Sequence, residues 1–444
     1  MPEMPRILIG WSGVAKLADS SRSPLTVILP GKLVDGVQNT AQEGMAVAFT
    51  EGGIAWVGRR GDLENAPNDA PMDVREYQDS TLLPGLFDLH THTNMPGDGR
   101  SGEEVDRDDS DDVRLLRSAR NVGDHLATGV TTLCDCGSWN RTAFSLKEGL
   151  DLGLAQGPRT LVAGPPLTIT GGHLWFMGGE VDGADSIREA VRQRVKDGAD
   201  FIKVAASGGS TLTSDPYRAS FSLEELKVIV DEAHNRNRPV LAHCRCTESI
   251  NFALDAGVDA ILHCFFTDSD GSYRYDEPTA DRLAETGVWL NPTMHLGRVS
   301  RAYLQLTMAQ RPLTPVEQER WERSQRMGST VMDQFGRLIR AGVRMAGGSD
   351  CGWGSYPFGD FQGEIIAMHD AGLTPMQAIQ AGTRNPAAAL GVLSQTGSIE
   401  PGKAADLLLV DGDPTADINA LRQVRAVFKQ GKEVKSARPA IAMG

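Results

Sequence analysis

One short pattern recurs through the middle of this chain and constrains its fold more than any other feature. A helical stretch ends in glycine, and an apolar run begins at once. The copies read Ala127-Thr128-Gly129-Val130, Lys196-Asp197-Gly198-Ala199, Asp255-Ala256-Gly257-Val258, Glu285-Thr286-Gly287-Val288 and Arg340-Ala341-Gly342-Val343. Glycine just past a helix end takes the left-handed conformation that closes the helix, so each copy marks a helix handing over to a buried strand. One helix is legible in detail. Ser222 caps it, Glu225 completes a capping box, and Leu223, Leu226, Ile229, Val230 and Ala233 keep one apolar face. Strands are expected at 84–89, 130–135, 159–163, 200–205, 239–243, 259–263, 288–292 and 343–347. Strands and helices alternating in that number fit an α/β fold, a (β/α)8 TIM-like barrel, better than an open doubly wound sheet. Ser207-Gly208-Gly209-Ser210 lacks the spacing of a dinucleotide or phosphate loop.

The two ends read differently. Thr26-Val27-Ile28-Leu29, Ala46-Val47-Ala48-Phe49 and Ile54-Ala55-Trp56-Val57 are β-like, and so are Leu407-Leu408-Leu409-Val410 and Val424-Arg425-Ala426-Val427-Phe428. Neither end is long enough to build a core alone. The expected organisation is a composite β-sandwich from residues 1–82 and 398–444 beside a barrel over 83–397. The acidic run 103–112 is expected as a solvated loop leading into a helix. With 44 Lys and Arg against 58 Asp and Glu, the net charge is −14. That balance argues against nucleic acid or an anionic membrane as partner. No apolar run approaches a spanning length. Gly10, Ser12 and Gly13 dilute the stretch Ile7 to Ala15, and six cysteines make no disulfide scaffold, so a reduced, cytoplasmic protein is expected.

In such a barrel the functional side chains gather at the C-terminal ends of the strands. Reading those ends yields His90 and His92, Lys203, His243, His263 and Asp350. His-x-His on a strand puts both rings on one face, where a single metal ion can use them. Each residue has a plainer reading when taken singly: surface polarity for His90 and His92, core packing for His243 or His263, charge neutralisation for Lys203. Four of the nine histidines at independently expected strand ends favour a metal site. Cys244, Cys246, Cys264 and Cys351 lack the two-residue spacer of a zinc-cysteine site and read as small strand-end residues.

At this point the sequence resembles a known family. Leu83-Pro84-Gly85-Leu86-Phe87-Asp88-Leu89-His90-Thr91-His92 and Pro401-Gly402-Lys403-Ala404-Ala405-Asp406-Leu407 are similar to the first-strand and re-entry signatures of the amidohydrolase superfamily. Asp200-Phe201-Ile202-Lys203-Val204-Ala205-Ala206-Ser207-Gly208-Gly209 and Thr168-Ile169-Thr170-Gly171-Gly172-His173 resemble its prolidase-like and imidazolonepropionase-related branch. The resemblance implies two divalent ions, zinc or a similar metal. His90, His92 and Asp350 would hold one ion and His243 and His263 the other, with carboxylated Lys203 bridging them. It implies attack by a metal-bridging hydroxide on a carbonyl polarised by a metal and His173, with Asp350 moving the proton to the leaving nitrogen. Homo-oligomers are expected by the same analogy.

The chain also departs from the prolidase-like pattern. Leu174-Trp175 follows His173 where a second polar residue often stands, and Phe358 occupies a position where His is common. With Phe265, Phe266 and Trp353, these residues suggest an aromatic pocket, similar to the phenylurea and thiocarbamate hydrolases. Substrate contacts are expected from His173, Trp175, Arg245 and Trp353. The expected function is hydrolysis of a non-peptide amide, urea or carbamate in a small molecule. The alternative is an Xaa-Pro-type dipeptidase whose substrate carboxylate meets Arg245 or Arg218. A non-catalytic homologue would be expected to have lost ligands, whereas all six positions are filled.

Overall fold

Every expected strand of the central region forms close to its expected place in a computed structural model that describes residues 25–67 and 71–434. The apolar stretch at 7–15 and the outermost parts of the expected terminal domain lie outside the described residues. The first strands are β1 (Leu25–Leu33), β2 (Gln42–Glu43), β3 (Met45–Thr50), β4 (Gly53–Arg59) and β5 (Met72–Pro84). The central strands are β6 (Leu86–Thr91), β7 (Val130–Asp135), β8 (Arg159–Val162), β9 (Ile202–Ala205), β10 (Val240–Cys244), β11 (Ala260–His263), β12 (Trp289–Asn291) and β13 (Arg344–Met345). The last are β14 (Leu407–Asp411), β15 (Val424–Lys429) and β16 (Lys432–Glu433).

The central strands pair in parallel, β6-β7-β8 in one sheet and β9 to β13 in sequence in another. Their residues are almost continuously buried, as expected when helices cover parallel strands. The two sheets also meet through the backbone. His90 C=O accepts from Asp350 N–H (2.7 Å) and Gly347 C=O from Leu89 N–H (3.0 Å), while Lys203 C=O accepts from Leu167 N–H (2.9 Å). Gly129, Gly198, Gly257, Gly287 and Gly342 all have positive φ, so each recurring glycine closes its helix as expected.

The helices are α1 (Gly102–Asp108), α2 (Asp111–Ala127), α3 (Thr142–Asp151), α4 (Ala184–Asp197), α5 (Leu223–His234), α6 (Thr247–Ala256), α7 (Glu277–Thr286), α8 (Met294–Gln310), α9 (Pro315–Arg340), α10 (Phe361–Asp370), α11 (Pro375–Ala381) and α12 (Arg384–Ala389). Helix α5 carries the Ser222/Glu225 capping box. The acidic run is not a loop. It forms α1 and the start of α2, with Glu103 and Glu104 in one first turn and Asp111 and Asp112 in the other, where helix dipoles favour negative charge.

Strands from both ends share one sheet, in the order β16-β15-β14-β5-β1-β3-β4, with β2 paired to β1. Strand β14 runs antiparallel to β5, Leu408 opposite Leu83. Its side chains alternate: Leu407 and Leu409 pack with Phe49 and Phe428, whereas Leu408 and Val410 join the large core of the central helices and strands.

Candidate metal centre and active site

The parallel strands end at one place, and their terminal side chains meet there. His90 comes from β6 and His92 directly follows it, Lys203 comes from β9, His243 from β10, His263 from β11 and Asp350 from the loop after β13; all are buried. Asp350 Oδ1 lies 3.5 Å from His90 Nε2 and 3.4 Å from His92 Nε2. Lys203 Nζ stands 3.3 Å from His90 Nε2. The His263 ring centre is 5.2 Å from that of His90 and 4.4 Å from that of His243. His90, His263 and Asp350 each offer a donor atom within 4.8 Å of the others. The six positions expected from strand ends are therefore brought together.

Backbone strain marks the same place. His263 (φ 67°), Thr293 (φ 50°) and Asp350 (φ 60°) are left-handed without being glycine, a conformation retained when surrounding structure over-determines it.

Hydrogen bonds decide which nitrogen each ring presents. His92 Nδ1–H donates to Gly137 C=O (3.1 Å), which leaves the Nε2 lone pair free. Asn291 donates its amide N–H to Gly348 C=O (2.8 Å), so its Oδ1 accepts from His90 Nδ1–H (3.0 Å). His243 is turned over: Nε2–H donates to Gly208 C=O (3.2 Å), leaving Nδ1. Burial holds all four imidazoles below their ordinary pKa, with His92 pushed down to about 3. Neutral imidazole is the ligating form. Burial also lowers Lys203, the state in which an amine can take up carbon dioxide, and raises the Asp350 carboxyl to about 7. Four neutral imidazoles, a lowered amine and a carboxylate fit divalent metal of the zinc type.

A second buried set, Asp88, His125 and Cys351, also lies within 4.8 Å, but its carboxylate is already committed. Asp88 Oδ1 accepts from His90 N–H (3.1 Å) and Ser349 N–H (2.9 Å), and Oδ2 from His125 Nε2–H (3.0 Å) and Ser349 Oγ–H (2.5 Å). Asp88 thus ties β6 to the strand end that carries Asp350. All six cysteines are free and buried, in keeping with the small strand-end reading.

The site opens into a cavity of about 650 Å³. His173, Phe265, Trp353 and Arg245 stand on its wall. His173 Nδ1 bonds Thr211 Oγ1 (2.8 Å), and its ring lies 4.5 Å from His243. The Arg245 guanidinium sits 5.3 Å over the Phe265 ring. Trp175 is a correction. It packs beside Leu174 against Met95, Val105, Trp139 and Phe176, a cluster that Trp353 also joins, and does not itself line the cavity. Leu174, left-handed at φ 66°, faces the cavity in its place, and the short helical turn that follows carries Trp175 away. Phe266 and Phe358 belong to the core. Arg218 pairs with Asp215 (3.3 Å) outside the main cavity. Sequence reading missed the α8–α9 hairpin, which places Met294, Leu296, Arg298, Arg301, Arg320 and Met332 on the cavity wall. The signal was Thr314-Pro315 with Glu317, a capping box with proline at the first helical position.

Comparison with known proteins agrees with this geometry. The chain is 27% identical to ochratoxinase of Aspergillus niger over 449 residues, covering 94% of this chain and 88% of that one. Its structure superposes on a Xaa-Pro dipeptidase solved with bound methionine in the active site, at a TM-score of 0.81 and 28% identity, covering 93% of this chain and 100% of that one. Molinate hydrolase shares the fold at a TM-score of 0.74 and 23% identity, over 93% and 95% of the two chains. The model of the Amidohydrolase family matches residues 81–434, and the chain belongs to that family of hydrolases acting on carbon–nitrogen bonds.

Proposed function

We propose that this protein is a divalent-metal-dependent amidohydrolase that cleaves the C–N bond of a small amide, urea or carbamate carrying an apolar or aromatic group. The observation that carries the reading is the convergence of four hydrogen-bond-oriented imidazoles, Lys203 and Asp350 at the floor of one cavity. The eight parallel strands are read as one closed barrel, supported by the backbone bonds between the two parallel sheets. The terminal strands are read as a β-sandwich appended to it, with apolar side chains on both faces of the shared sheet.

His90, His92 and Asp350 would hold one ion, His243 and His263 the second, and Lys203, carboxylated, would bridge them. Bound ions of this kind lower the pKa of water and polarise a carbonyl. Asp350 takes the proton of the attacking water and returns it to the leaving nitrogen. His173, oriented through Thr211, holds the substrate carbonyl oxygen. Phe265 and Trp353 pack the apolar part of the substrate, where burial contributes roughly 25 cal/mol per Å².

A panel of aryl ureas, carbamates, N-acyl amino acids and dipeptides tests the substrate class by kcat/KM. Neutral aryl and N-alkyl compounds are expected to lead. The dipeptidase reading is supported by the Arg245 guanidinium on the cavity wall and by the superposition on a Xaa-Pro dipeptidase. If dipeptides lead and Arg245→Ala raises their KM selectively, that reading replaces the first.

A further inference from the structure

Strand β12, like β7 and β8, supplies no proposed metal ligand, yet its end touches a histidine from each half of the site. Asn291 is fully buried, with Oδ1 3.0 Å from His90 Nδ1. Two residues on, Thr293 Oγ1 lies 2.8 Å from His263 Nδ1. His90 and His263 fall in different ligand sets of the proposed function, on which this inference rests.

We propose that Asn291-Pro292-Thr293 is the positioning element of the metal centre: Asn291 and Thr293 accept the Nδ1–H of His90 and His263 and so hold each Nε2 lone pair toward the ions. The amide of Asn291 cannot turn over without cost. Its N–H group faces Gly348 C=O at 2.8 Å, and reversing it would set two oxygens against each other. Gly348 permits the approach, since a Cβ there would come within 2.7 Å of His90 Cβ and 2.9 Å of Asn291 Nδ2.

Thr293 is held from the other side. It stands at the start of α8 with φ 50°, and the next two N–H groups, of Met294 and His295, donate to the buried Glu364 carboxylate at 3.0 and 2.6 Å. The turn that orients His263 therefore also launches the helix that walls the cavity. Bonds of this kind fix the tautomer and ring direction of a ligating histidine, and losing one weakens metal binding about 10–100-fold.

The test is titration of metal-free protein with Zn²⁺ against a chromophoric chelator, with far-UV circular dichroism and Tm as controls for folding. Asn291→Leu and Thr293→Val keep shape but remove the acceptor, and each should weaken one of two binding steps about 10–100-fold. Thr293→Ser keeps the acceptor oxygen and should bind within about threefold of wild type by the same argument. The inference is overturned if folded Asn291→Leu and Thr293→Val bind like wild type. It is also overturned if Thr293→Ser is as weak as Thr293→Val, since packing would then explain the loss. Wild-type protein that takes up no Zn²⁺ overturns the metal reading itself, a distinguishable result.

Discussion

Lys203 shows what a single residue contributes. It occupies an apolar strand, is 2% exposed, and stands 3.3 Å from His90 Nε2. As an ammonium it would repel a cation; as a carbamate it would offer two anionic oxygens. Lys203→Ala should lose bound metal and lower kcat by about 100-fold or more. Added short-chain carboxylic acid with excess metal should restore part of both, because an external oxyanion can enter the vacated space. Metal analysis and turnover measured together check this. Full activity in Lys203→Arg would show that no bridge is needed. His90 and His92 were readable because a spacing of two on a strand puts both on one face. Asn291 was not readable, since an asparagine at a strand end carries no pattern until His90 lies beside it.

Among the elements, α8 shows how a buried carboxyl group can hold a helix in place. Both Glu364 oxygens accept N–H groups from its first turn, and burial raises the carboxyl to about 8. The folded pKa thus stands above the ordinary 4.5. The group's stabilising contribution is fully present below 4.5 and is lost as pH rises through about 8. Glu364→Gln removes this titration and turns one amide N–H toward a backbone N–H, leaving a buried donor unmet at about 1–3 kcal/mol. The variant should therefore unfold at lower temperature than wild type in mildly acidic buffer, with the gap narrowing toward pH 8. Thermal melts across that range decide it; a pH-independent gap would mean that Glu364 does not titrate there. The α8–α9 hairpin was partly legible through its caps, but not its place over the cavity, because capping fixes where a helix starts and not what it packs on.

At the scale of the whole molecule, the terminal sheet and the parallel strands share apolar contacts. Leu408 of β14 is fully buried, and a Cβ on Gly129 would come within 2.8 Å of its side chain. Leu408→Ala should cost about 2–5 kcal/mol. Calorimetry should show the terminal sheet and the barrel-forming region unfolding in one transition. Two separated transitions in wild type would show that the shared core does not couple them.

What the sequence determined by itself was local and periodic: helix ends at recurring glycines, buried strands after them, the His90/His92 pair, and the strand ends carrying Lys203, His243, His263 and Asp350. These follow from backbone conformation and side-chain period, which neighbouring residues set. Which aromatic rings reach the cavity was decided only by tertiary structure. Trp175 and Trp353 pack against one cluster, yet after the left-handed Leu174 the Trp175 ring lies off the cavity wall, while Trp353 lines it with its ring centre 5.6 Å from that of His92. The Asn291 and Thr293 bonds and the hairpin arginines on the cavity wall arise in the same way. Each depends on contacts between segments far apart in the chain, and no local pattern records such contacts.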